Sequence, residues 1–154
     1  MDAVAQIVIL AKVAFAMLVG GIIGLEREYS EKPAGLRTLM LVSGAAAVLM
    51  FTGEILVNMQ VFAQNAPLIG LDPSRVIQAI ITGISFLGAG TIIRRPESES
   101  IEGLTTAAAI LLAGAVGICV GLNQYILAAG ISGLGLFVMS GLRFIEKWVA
   151  KKKQ

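Results

Sequence analysis

The sequence predicts an all-α polytopic membrane protein, a single domain over residues 1–154 with about five transmembrane helices. Three observations carry that prediction. Of the 154 residues, 56% are hydrophobic and 14% charged, and a mean hydropathy of +0.86 lies above the range of soluble globular domains. The apolar residues form long runs instead of stripes at helix or strand period. Most charged residues gather in short segments between those runs.

Ala3 to Leu25 is the first run, interrupted by Gln6 and Lys12. At about 1.5 Å per residue it crosses a hydrocarbon core of roughly 30 Å. The early Asp2, the lack of a basic leading segment and the lack of a small-residue cleavage site before Glu26 predict a retained helix, not a cleaved signal. Leu36 to Val57 is the second span, with Glu54 near its far end, and Asn58 to Asp72 is a polar loop punctuated by Pro67 and Gly70. Arg75 to Ile93 forms the third span, with Asp72 expected as its N-cap and Pro73 at the first helical position. Leu104 to Gly121 and Gln124 to Leu142 are the fourth and fifth. From Arg143 to Gln154, Phe144, Ile145 and Trp148 recur near helical spacing beside Lys147, Lys151, Lys152 and Lys153, the pattern of an interfacial segment.

Laid out as five spans, the chain places Arg27, Lys32, Arg37, Arg94, Arg95 and the basic tail on one side, with Arg75 at the opposite boundary and Lys12 inside a span. The positive-inside rule then predicts the N-terminus out and the C-terminus in, in a cytoplasmic membrane. A recurrence at an offset of 68 aligns Gly20 with Gly88, Arg27 with Arg95, Gly35 with Gly103, Leu36 with Leu104 and Thr38 with Thr106. It reads as two helical hairpins of one kind whose charged turns share a side, the fifth helix closing the bundle or forming an oligomer contact. Chance recurrence of a Gly-Leu-x-Thr helix start in a Gly- and Leu-rich chain is the alternative.

Several chemistries are excluded. The chain has no His, so imidazole ligands, imidazole bases and a histidine pH switch are ruled out. Its single Cys119 permits no intrachain disulfide. No nucleophile–base pair stands out, so no enzyme is expected, and nothing points to nucleic acid.

Three groups of residues are candidates for function. Gly20 with Gly24 and Gly117 with Gly121, at four-residue spacing, allow close helix approach, within the chain or across a dimer. Gly83, Gly88 and Gly90 in the third span either let neighbouring helices nest or break the helix to bare carbonyls for an ion. Lys12, Glu54, Asp72 and Arg75 are expected to form a charge network in the outer half of the bundle, as an ion-pair lock or a cation site. Asp72 is the candidate metal ligand, although one carboxylate offers a divalent ion too few oxygens. On the other side Glu26, Arg27, Glu28, Arg37, Thr38, Arg94, Arg95, Thr105 and Thr106 mark the two charged turns, where helix starts suit an anionic group, a lipid headgroup or an acidic partner segment. Charges that merely pair among themselves are the competing account.

Gly-Leu-Glu-Arg-Glu at 24–28, Lys-Pro-Ala-Gly-Leu-Arg-Thr at 32–38, Asp-Pro-Ser-Arg at 72–75, Gly-Ile-Ser-Phe-Leu-Gly-Ala-Gly at 83–90 and Gly-Leu-Thr-Thr-Ala-Ala at 103–108 follow one another in that order. Together they resemble the transmembrane domain of the MgtC/SapB family, over nearly the whole stretch from Lys12 to Gly121. Lys12 matches a position typically basic in that family, whereas Ser85 departs from its usual glycine. Many members carry a further C-terminal domain resembling an ACT fold, which this sequence does not include. The resemblance implies a bacterial or archaeal inner-membrane protein linked to growth at low magnesium and, in pathogens, to virulence. It implies a modulator of other membrane machines, the ATP synthase and magnesium-import ATPases among them; the alternative is a transporter or binding protein for Mg2+ or another cation. Lipids, a homo-oligomeric assembly such as a dimer, and an ATPase or other membrane protein are the expected partners, with no cofactor other than Mg2+.

Overall fold

The structure, a computed structural model, describes residues 2–62, 73–94 and 100–142, and only the backbone of 57–62. It is an all-α bundle: α1 Ala3–Tyr29, α2 Leu36–Phe62, α3 Pro73–Ala89, α4 Leu104–Gly121 and α5 Tyr125–Leu136, which passes into a π-helical turn at Phe137–Gly141. By length and composition α1, α2 and α4 can each cross a membrane, and α5 with its π turn is a shorter apolar helix. The chain is thus an all-α polytopic membrane protein.

Two short strands, β1 Ile93–Arg94 and β2 Ile101–Glu102, pair antiparallel with Ile93 opposite Glu102 and Arg94 opposite Ile101. The sequence pattern carries no hint of them, because two-residue strands have no periodicity to read. The third span therefore ends at Ala89, earlier than the Ile93 expected, and α2 runs to Phe62, five residues past the expected Val57. The interfacial segment expected from Arg143 onward, and Asp72 as N-cap, lie outside the described residues.

The helices α1 and α4 stop for the same local reason. After α1, the Glu31 amide returns to the Glu28 carbonyl and the Lys32 amide to the Arg27 carbonyl, with Glu31 at φ 54°. After α4, the Asn123 amide reaches Val120 and the Gln124 amide Cys119, with Asn123 at φ 60°. Both are left-handed caps that satisfy the last carbonyls, and Pro33 bars further helix in the first case.

In this arrangement α4 is the hub, packing against α1, α2, α3 and α5, while α5, α1, α2 and α3 follow one another around it. The core runs through Val13, Ala16, Ile23, Leu39, Ala47, Ala109, Ile110, Val116 and Val120. Close approach comes from small residues. A Cβ on Gly24 would lie 2.7 Å from the Leu36 Cα, and one on Gly20 2.5 Å from the Ser43 Cβ. Gly117 sits against the Ser43 carbonyl and Gly121 against Met50. The two spaced glycine pairs thus both hold α2 close, α1 through one pair and α4 through the other, meeting at Ser43. Ser43, fully buried between them, donates to the Ala16 carbonyl at 2.8 Å.

Two expectations about the third span are corrected. The helix runs unbroken through Gly83 and Gly88, so its glycines open no ion site. Only Gly88 nests against another helix, at Ala107; a Cβ on Gly83 would meet open space, and Gly90 lies in the following turn near its own chain. Continuity survives because glycine weakens a helix by only about 1 kcal/mol each, less than the packing of the flanking residues supplies.

Candidate functional site

Polar groups collect at the two ends of the bundle. At one end α1 delivers Glu26 and Arg27 into the interior, 8% and 2% exposed, because they fall on the face that carries Val19, Gly20 and Ile23 one and two turns earlier. The Arg27 guanidinium donates through Nη2 to Thr106 Oγ1 at 2.9 Å, and Thr106 is itself 2% exposed in the first turn of α4. Glu26 accepts from the Ser30 hydroxyl at 2.9 Å. Glu28 reaches across the turn, where its carboxylate accepts the Leu36 amide at 2.9 Å and caps α2. Gly35 beside it leaves room for that carboxylate.

The second charged turn is built differently. Gly103 holds φ 91°, and any Cβ there would run into the Thr91 carbonyl, so the turn into α4 requires glycine. Thr91 donates to the Gly88 carbonyl at 2.7 Å, closing α3. Arg37, Arg94 and Thr105 are exposed, Thr38 is half-buried, and Arg95 lies outside the described residues. The structure thus brings Arg27 and Thr106 together in one buried clasp with Glu26 buried beside it, while Glu28, exposed, caps α2, and Arg37, Arg94 and Thr105 lie on the surface.

At the other end the expected four-member network is not formed among the described residues. Lys12 Nζ donates to Asn123 Oδ1 at 2.6 Å and lies 5.4 Å from the centroid of the Phe51 ring. Tyr125 donates its hydroxyl to the same Asn123 oxygen at 2.9 Å, and its ring meets Phe15 edge-on at 5.7 Å. Glu54 is exposed and lines a cavity of about 260 Å³ with Gly53, Pro73, Val76, Gly121 and Asn123. Arg75 faces a different space, between α2 and α3. No ion pair joins Lys12, Glu54 and Arg75 among the described residues, and Asp72 lies outside them. Among the described residues the partner of Lys12 is an amide oxygen, since the α4–α5 turn brings Asn123 to its level.

Asn123 follows directly on the end of α4, so Lys12 stands level with the α4–α5 turn, about 27 Å along the bundle from the α4 start. The first turns of α1, with Val4, Ile7 and Leu10 at 71%, 64% and 66% exposure, extend beyond it. Asn123 and Tyr125 are the residues that sequence reasoning missed. The available signal was a single Asn in a turn too short for anything but a left-handed cap, opposite a lone intramembrane lysine.

A profile of the MgtC family matches residues 13–148. Over 94% of its length the chain is 35% identical to Protein SapB of Bacillus subtilis (strain 168). It is 38% identical over 83% to the Escherichia coli (strain K12) protein named "Putative magnesium transporter YhiD", and 39% identical over 71% to Protein MgtC of Salmonella typhimurium. The chain spans 59%, 57% and 42% of those three proteins. No solved structure matches it.

Proposed function

The chain belongs to the MgtC family, and from that premise we propose that it serves magnesium homeostasis by acting on other membrane proteins, without itself conducting the ion or catalysing a reaction. The magnesium link rests on the relative whose name ties it to magnesium transport. The choice of modulator over conduit rests on one observation. Between the two polar ends the bundle is filled by Ile23, Leu39, Ile110, Val116 and Val120, each at most 1% exposed, with α3 continuous alongside. An ion crossing that depth would need oxygen ligands or water along its path. A modulator needs a rigid frame that presents its turns.

In this reading the turns clasped by Arg27 and Thr106 form the surface offered to an ATPase or another membrane protein. Lys32, Arg37 and Arg94 around the clasp favour an orientation with that end in the cell interior and the N-terminus outside. Reconstitution into liposomes enclosing a magnesium-sensitive dye, paired with affinity purification from magnesium-starved cells, tests the proposal. The expected result is no flux above that of empty liposomes, together with a membrane ATPase whose co-purification is lost when Lys32 and Arg37 are both replaced by Glu. Magnesium flux abolished by Glu54→Gln would overturn it.

A further inference from the structure

Along the outside of the bundle, α2 and α3 enclose a groove that neither helix fills. Its inner stretch, about 200 Å³, is walled by Val42, Ala45, Leu49, Ala79, Gly83 and Leu87. A second stretch of about 390 Å³ continues from Leu49 and Ala79 past Leu56 to Arg75. The small residues make the space, and at Gly83 a Cβ would have no neighbour within 4 Å. From Leu87 to Arg75 the helix rises about 18 Å, slightly more than the roughly 15 Å of one leaflet in a 30 Å core.

The groove ends in positive charge. Arg75 is the third residue of α3, where the helix leaves its first amides unbonded and its dipole adds to the cation. It is exposed and makes no ion pair with a carboxylate among the described residues. Glu54 stands at the same end but lines the neighbouring cavity with Asn123, on the other side of Gly53. Because Pro73 shares that cavity with Asn123, Arg75 lies near the level of Lys12, at the end of the bundle where α4 turns into α5.

An apolar trough about one leaflet deep, ended by a cation, has the shape and charge of a lipid with an anionic head. We propose that the α2–α3 groove binds an anionic phospholipid of the leaflet at the Lys12 end, one acyl chain lying along Ala45 and Gly83 and the phosphate on Arg75. Native mass spectrometry of the purified chain in mixed micelles of phosphatidylglycerol and phosphatidylcholine reads this directly. The intact protein is expected to retain phosphatidylglycerol about fivefold over phosphatidylcholine, the upper range for an ion pair in water. Arg75→Gln is expected to erase the preference, Arg75→Lys to keep most of it, and Gly83→Leu to remove retention of both lipids at unchanged thermal stability. Equal retention of the two lipids by the intact protein, or Arg75→Gln and Gly83→Leu variants that bind as it does, would overturn the proposal. So would a dimer that Gly83→Leu converts to monomer, because the groove would then hold a second copy of the chain.

Discussion

Arg27 holds a permanent charge at 2% exposure, so its guanidinium depends on the polar partners it finds inside the bundle. Its bond to Thr106 ties the end of α1 to the start of α4, two points 79 residues apart. A hydrogen bond to a charged group contributes about 1.5–3 kcal/mol, so a cycle of Arg27→Gln, Thr106→Val and the double variant is expected to show coupling of that order in thermal unfolding. Additive losses would mean that the contact carries no energy. Arg27 and Thr106 were both legible as members of the charged turns. Their burial was not, because a sequence shows that a residue ends a span and not which way its side chain turns. The partner of Lys12 was hidden for a related reason. Charge pairing points the eye to the carboxylates of Glu54 and Asp72, while the bond among the described residues is made by the neutral amide of Asn123 that a left-handed cap carries to the lysine.

At the scale of elements, the spaced glycines divide by what they touch. Gly24 and Gly117 press against α2 backbone, so Gly24→Leu and Gly117→Leu are each expected to lower stability by more than about 2 kcal/mol through overpacking and helix separation. Gly83 faces open space, so Gly83→Ala is expected to be neutral or to stabilise by up to about 1 kcal/mol through helix propensity. Thermal unfolding of the three variants in detergent measures the contrast, and equal losses at Gly83 and Gly117 would contradict the packing described. The glycine spacing was readable at Gly20, Gly24, Gly117 and Gly121, where the period of four matches one helix face. In the third span the crowding of Gly83, Gly88 and Gly90 suggested a break, yet α3 is continuous, since propensity is a weak term beside helix packing. The recurrence at offset 68 is also visible in the elements: α2 begins at Leu36 and α4 at Leu104, and Gly20 faces Leu39 much as Gly88 faces Ala107. The connecting turns differ, since a compact capped turn serves the first hairpin and a strand pair the second.

For the molecule as a whole, long apolar runs made the all-α membrane fold legible at once, because in lipid every backbone amide must be bonded within its own segment. The central position of α4 was not legible, as hydropathy ranks helices by their lipid solubility and not by their neighbours. What the bundle achieves is separation: Arg27, Thr106 and the charged turns at one end, Lys12 and Asn123 at the other, and a packed apolar core between them. Impermeant maleimide labelling of single cysteines, in a Cys119→Ala background in intact cells, tests that separation most directly, with Glu31→Cys, Ser100→Cys and Leu122→Cys as the reporters. Positions 31 and 100 are expected to react alike, silent until the cells are opened, while position 122 reacts from outside; reaction of 31 and 100 from opposite faces of the membrane would contradict the account.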